Sequence, residues 1–156
     1  MKIHQTAIVD PGAQIGAEVE IGPYSIVGPE AVIGEKCVIQ SHVVIEGAVR
    51  MGTGNFIGHS AIIGSAPQDL NFQAQTHSQI EIGHGNVIRE HCTIHRGATE
   101  GSATVLGDGN FLMVGAHVGH DCKIGNGVVI VNDCLLAGHV RIDDRAFTRV
   151  SGSDGS

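Results

Sequence analysis

Aromatic side chains are scarce: Phe, Trp and Tyr make up 3% of 156 residues, with no Trp and one Tyr. A core must therefore be built from Ile, Val, Leu and small residues rather than from rings. Charged residues are also few, at 16% against about 25% in ordinary domains. Disorder is nevertheless excluded, because 42% apolar content can bury a core. Only four Pro occur and the Gly residues do not recur at every third position, which excludes collagen. No run of 18 apolar residues exists and Met1 to Gln5 open no long apolar stretch, so no membrane span or secretion signal is expected and a cytoplasmic location follows. Nine Lys plus Arg stand against sixteen Asp plus Glu, a formal charge of −7 that a nucleic-acid backbone repels. The four Cys form no Cys-x-x-Cys pair, and the length fits one domain.

What is present is a period of six. Positions 3, 9, 15, 21, 27, 33, 39, 45, 51, 57 and 63 are all apolar, an outcome that chance gives about 7 times in 100,000 at this composition. A second run occupies 82, 88, 94, 106, 112, 118, 124, 130, 136 and 142, one residue out of step and broken at Glu100. Gly often follows the apolar residue, where the chain must bend. Two places before it stand small or β-branched residues, among them Cys37, Cys92, Cys122 and Cys134, which reads the cysteines as core filling. Short β-branched runs bent every six residues predict strands stacked in parallel about 4.8 Å apart.

Two breaks interrupt the repeat. Ser65 to about residue 79 is polar and contains Pro67, and 97–103 would place Glu100 inward, so both segments are expected as loops. Loops leaving a rigid solenoid often line its binding face. The solenoid is expected over 1–146, with a disordered tail over 147–156.

Ten His need explaining. The densest group is His117-Val118-Gly119-His120-Asp121-Cys122, followed by Gly138-His139, and none of these His falls at an inward position. With three hexads, 18 residues, per coil, as a resemblance of these repeats to the hexapeptide-repeat family implies, His120 lies beneath Gly138 and the three His can converge. They are open to three readings: solvated surface residues; a general base, His120, oriented by Asp121 if a corner bend brings the two together; or zinc ligands, His117, His120 and His139. His91-Cys92-x-x-His95 also has ligand spacing, but Cys92 falls in the small inward slot, so the pair is read as structural.

The hexads resemble the hexapeptide-repeat family, which implies an all-β fold, a left-handed parallel β-helix of three hexads per coil. Pro67-Gln68-Asp69-Leu70, Ile88-Arg89-Glu90 leading to Thr93-Ile94-His95-Arg96-Gly97, Ala116 to Cys122, and Ala137-Gly138-His139-Val140 together resemble the acyl-[acyl-carrier-protein]–UDP-N-acetylglucosamine O-acyltransferases. That resemblance implies transfer of a (3-hydroxy)acyl chain from acyl carrier protein to the glucosamine 3-hydroxyl, the opening step of lipid A synthesis, in a homotrimer with clefts between subunits. It implies His120 as general base, Gly138 N–H as oxyanion donor, His117 and His139 lining the sugar and acyl site, and Gln68 and Asp69 at the sugar. No metal or cofactor is implied, because the 4′-phosphopantetheine thioester is itself a substrate.

Arg141, Arg145 and Arg149, with Lys123, offer a basic patch for an acidic carrier protein. The sequence departs from the family at Asn71, where the family has Lys, and in lacking a His-Gln pair and the helical C-terminal domain, so the chain reads as a shortened member. The rival readings are another hexapeptide-repeat sugar acyltransferase, a zinc trimer of carbonic-anhydrase type, and a non-catalytic trimeric scaffold.

Overall fold

A computed structural model describes residues 1–149. Among them lie 22 short strands, most of two residues, and no helix. Many strands are β-branched or aliphatic pairs such as Ile26–Val27 or Val38–Ile39, a composition that suits a pleated, half-buried surface. Turns at both ends stop them from growing. Every strand pairs in parallel with the equivalent strand one coil away, which gives three sheets of eight, seven and seven strands. The first face begins at Lys2–Ile3, the second at Ile8–Val9 and the third at Gln14–Ile15.

The register keeps inward residues over inward residues. On the first face Ile21 stacks on Ile39, Ile39 on Ile57, Ile57 on Ile88 and Ile88 on Leu112. Ile57 and Ile88 are 31 residues apart and Ile88 and Leu112 are 24, because two coils eject loops. One loop separates the strands Ile62–Ser65 and Gln79–Ile82, and the other separates Thr93–His95 and Ala103–Leu106. Glu100 is exposed on the second loop and accepts the His77 N–H at 3.0 Å, so its charge is turned outward rather than buried. Arg96 fastens the first loop by donating to Thr76 O at 2.8 Å and covering the Phe72 ring.

Bending a β-strand chain three times per coil requires left-handed backbone at the corners. Ten non-Gly residues adopt it, including Asp121 (φ 60°) and His139 (φ 64°). The core is the column of inward aliphatics from Ile21 to Leu136 together with the small slot. All four cysteines are free and buried in that slot, and burial pushes the Cys92 thiol up to about 11.

Asn55, Asn86 and Asn110 occupy the same slot on consecutive coils and form a buried ladder. Asn55 Oδ1 accepts the Asn86 N–H at 2.8 Å, and Asn86 Oδ1 accepts the Asn110 N–H at 2.8 Å. At the other end Phe147–Thr148, expected in a disordered tail, instead pairs with Val129–Ile130 and continues the first face. The rest of that expected tail, 150–156, lies outside the described residues. No helix of the described residues is long and apolar enough to cross a membrane.

Candidate active site

The second face carries the histidines. His117–Val118 stacks on Thr93–Ile94 below and Leu135–Leu136 above. Beyond Val118 the chain passes through Gly119 and His120 and turns at Asp121. One coil further on, the equivalent corner holds Gly138 and His139, locked in register by the His139 N–H donating to His120 O at 2.9 Å. His120 therefore lies beneath Gly138, as the 18-residue stacking predicts.

The left-handed corner at Asp121 swings its carboxylate back beside the preceding imidazole, and His120 Nδ1 lies 2.9 Å from Asp121 Oδ2. Alternation along a strand, which would send neighbours to opposite faces, does not apply at this bend. Asp121 is buried and tightly held. Its carboxylate accepts the Ala98 N–H at 3.0 Å, and its own N–H donates to Thr104 Oγ1, which donates to His95 O at 2.7 Å. Burial works to raise the Asp121 pKa, but hydrogen bonds from His120, Ser102 and Ala98 and the nearby His139 outweigh it, and the group titrates below its ordinary value. An ionised carboxylate at Nδ1 keeps the His120 proton there and leaves Nε2 as the free lone pair.

That nitrogen faces Gly138. A Cβ at Gly138 would meet His120 Cε1 at 2.5 Å and Cδ2 at 2.9 Å, so the corner has to be glycine for the ring to sit where it does. Gly138 stands two residues past inward Leu136, the place that Pro11, Pro23 and Pro29 hold in earlier coils. Where the N–H of that place is bonded on the other faces, a side chain one coil on takes it, as Asp108 takes that of His84 and Asn126 that of Asp108. Among the described residues no acceptor takes the Gly138 N–H.

The His120 ring and Gly138 border a hollow of about 320 Å³ that is also lined by Gln68, His95, His117 and Leu135. His117 Nδ1 lies 2.7 Å from Thr93 Oγ1, and the His117 ring meets His95 edge-on at 4.6 Å. Burial lowers the pKa of both rings, and for His95 the neighbouring His117 and His120 add to the effect. A groove of about 530 Å³ opens on the first face around Ile3, Ile21 and Val38. It is larger and is also lined by His4, Glu20 and His59, but neither of its histidines has a buried carboxylate at Nδ1 as His120 has, and that pairing selects the smaller hollow.

The expected residues are not all drawn together. Gln68, His117, His120 and Gly138 line the hollow, with Asp121 behind it. Asp69 does not line it. Its carboxylate turns into its own loop and accepts the Asn71 N–H at 2.9 Å. His139 sits on the rim, its side chain 70% exposed and its ring edge-on to His120 at 5.0 Å. The zinc set of His117, His120 and His139 does not form either, because His117 turns to Thr93 and the cluster with ligand spacing is His120, Asp121 and His139. In the basic patch, Lys123 stacks beside Arg141 on the third face, and Arg145 occupies a corner.

The bacterial transferase hexapeptide (six repeats) model matches residues 1–34 and 103–138. The acyl-[acyl-carrier-protein]–UDP-N-acetylglucosamine O-acyltransferase of Thermodesulfovibrio yellowstonii is 45% identical over 94% of this chain and 57% of its own length. That of Paraburkholderia xenovorans is 53% identical over 89% of this chain and 53% of its own length. The solved UDP-N-acetylglucosamine acyltransferase of Francisella novicida superposes with a TM-score of 0.90 at 42% identity, covering 93% of this chain and 53% of that one.

Over about nine-tenths of its length the chain is similar to UDP-N-acetylglucosamine O-acyltransferases.

Like the acyltransferase structures it matches, this chain is a left-handed parallel β-helix. It spans about half the length of the curated relatives it matches. Its hollow holds one residue that sequence reasoning set aside, His95, whose pairing with Cys92 looked structural. The useful signal was its place after inward Ile94, the Gly64 place one coil earlier, where a bulge between Ile63 and Ser65 brings Ser65 opposite His95.

Proposed function

We propose that this chain carries the catalytic histidine centre of an O-acyltransferase that moves a (3-hydroxy)acyl chain from acyl carrier protein to the 3-hydroxyl of UDP-N-acetylglucosamine, the first step of lipid A biosynthesis. The observation that carries the reading is the seating of the His120 ring, with Asp121 at Nδ1, against a corner glycine whose N–H has no acceptor among the described residues. His120 Nε2 takes the proton of the sugar hydroxyl, and that oxygen attacks the thioester carbonyl. The charge that develops on the carbonyl oxygen is met by the Gly138 N–H, a donor already in place. Collapse of the tetrahedral adduct breaks the carbon–sulfur bond, and the departing pantetheine thiolate recovers the proton from the His120 imidazolium. Asp121 stabilises that imidazolium and keeps its tautomer.

Gln68 and His117 line the sugar and acyl site in this reading, with His139 and Asp69 at its margins. Leu135, 72% exposed beside the histidines, offers apolar contact to the acyl chain. No cofactor is called for, since the carrier-bound thioester is consumed as substrate.

A homotrimer and a cytoplasmic location complete the proposal. Beyond Lys2 and Glu20, outward residues on the first face are Val38, Phe56, Val87, Phe111, Val129 and Phe147, and those on the second include Ile8, Ile26, Val44 and Ile62, whereas Gln14, Arg50, Glu81, Lys123 and Arg141 point out from the third with Val32 and Val105 among them. A ring built head to tail needs two different apolar patches on each subunit and one wetted side, and these three faces supply them. The third-face pair Lys123 and Arg141 would meet the acidic carrier.

Incubating the chain with UDP-N-acetylglucosamine and a 3-hydroxyacyl carrier protein tests the activity. Acylated sugar nucleotide and free carrier thiol should appear together in equal amounts. Their absence with a folded trimer would support the scaffold reading.

A further inference from the structure

We propose that His120, Asp121 and His139 form a transition-metal site, and that an ion bound there switches off the same histidine that acts as base. The three residues each offer one ligand atom, and these atoms all lie within 4.8 Å of one another. Asp121 Oδ2 is 2.9 Å from His120 Nδ1 and 3.8 Å from His139 Nε2. Ligands held about 2.0–2.2 Å from zinc in a tetrahedron stand roughly 3.4 Å apart, so the two separations bracket the required one. Small rotations of an exposed imidazole close the difference. Two imidazoles and a carboxylate with room for solvent is a donor set that takes zinc, cobalt or iron rather than magnesium or calcium.

The surroundings are those of a built site. The Asp121 carboxylate is held by the Ala98 N–H, and its backbone is tied through Thr104 to His95 O, which fixes one ligand before any ion arrives. His139 completes the set from the next coil with its side chain 70% exposed, and so provides a path for entry.

The consequence for catalysis rests on the proposed acyl transfer, whereas the binding does not. A metal at His120 Nδ1 needs that lone pair, so the ring proton moves from Nδ1 to Nε2 with no net proton released. Nε2, protonated and turned toward Gly138, can no longer accept the proton of a sugar hydroxyl. The ion would therefore act as a reversible inhibitor competing with tautomer selection, not with either substrate.

The test uses the full chain and Co²⁺ as a spectroscopic probe. Titration should produce the intense visible absorption of four-coordinate cobalt at one equivalent, and Zn²⁺ should bleach it. His139→Asn keeps the left-handed corner, which Asn tolerates, and should weaken binding by at least the 10–100-fold typical of losing an outer partner. Asp121→Asn should do the same, while His91→Asn, at an exposed corner elsewhere, should bind normally. A featureless titration, or a spectrum unchanged in His139→Asn, overturns the site. Where the chain turns over, Zn²⁺ should abolish activity and a chelator should restore it. Cobalt binding with undiminished turnover would overturn the tautomer switch, and a chain that binds cobalt without any turnover would count against the acyl-transfer reading alone.

Discussion

The His120 ring occupies the space where a side chain on Gly138 would begin, since a Cβ there would meet Cε1 at 2.5 Å. Gly138→Ala therefore pushes the ring away from the corner and from the free N–H together. A displacement of about 1 Å can cost 10²-fold in rate, so turnover should fall by about that factor or more. Overpacking of this kind costs about 1–3 kcal/mol, which a thermal melt would register as a modest loss. Wild-type turnover in Gly138→Ala would show that the ring and the corner do not act as one unit.

His120→Ala removes the proposed base and should lower kcat by about 10²–10⁴-fold with the fold intact. Asp121→Asn is the finer test. The Ala98 N–H and His120 Nδ1 both meet Oδ2, so an amide oxygen in that place keeps both contacts but carries no charge to stabilise the imidazolium. The expected result is a fall in kcat with KM little changed, read from steady-state kinetics. If Asp121→Asn kept full kcat, the carboxylate charge would have no part in stabilising the imidazolium.

Much of the architecture was readable because the solenoid imposes its period on the side chains. Ile39, Ile57, Ile88 and Leu112 stack and so had to be aliphatic, and Pro67 and Glu100 marked the ejected loops because neither fits a buried ladder. The histidine corner was readable from 18-residue stacking. What stayed hidden depended on the loops or on side-chain direction. Asn55, Asn86 and Asn110 sit 31 and 24 residues apart, which disguises them as unrelated polar residues when they are neighbours. His95 was masked by Cys92, whose inward slot suggested that the whole motif was structural. The inward turn of the Asp69 carboxylate follows from a local Asx turn that spacing does not encode.

That hidden ladder carries stability. Asn86 is fully buried, its Oδ1 accepts the Asn110 N–H, and its Nδ2 donates to Asn55 Oδ1 at 3.0 Å and Gly107 O at 2.9 Å. Asn86→Ala orphans the Asn110 N–H and Gly107 O, while Asn55 Oδ1 keeps the backbone N–H of residue 86; each orphan costs about 1–3 kcal/mol when left buried and unpaired. Urea unfolding should show a loss of roughly 3 kcal/mol or more, while Asn71→Ala, on the exposed loop, should change little. A loss in Asn86→Ala no larger than in Asn71→Ala would mean that solvent repairs the gap.

Acidification should weaken the fold before any carboxylate titrates. His95 and His117 have pKa values lowered below 6.5, burial being the first cause for both. The unfolded chain therefore takes up these protons first as pH drops. Their contribution is fully present above pH 6.5 and is lost as pH falls from there through the folded values. Unfolding midpoints measured at pH 7.5 and 5.5 should differ in that sense, and His117→Gln should flatten the dependence. A midpoint that is constant between the two would show both rings to be solvated like their free counterparts.

The cysteines provide a check on the core that is independent of catalysis. Cys92 is fully buried, its thiol donates to Met113 O at 3.1 Å, and burial raises its pKa to about 11. At pH 8 only about one thiol in a thousand would be ionised, and the thiolate is the reacting form. Burial likewise raises Cys37 and Cys122. A thiol reagent at pH 8 should therefore leave these three unmodified in the folded protein and label all four cysteines in urea. Cys134, 8% exposed near the last described coil, should be the first to react as that coil opens. Mapping the label by mass spectrometry distinguishes this order from uniform reactivity, and rapid labelling of Cys92 in the native state would contradict the sealed interior on which the stacking of every coil, including the histidine corner, depends.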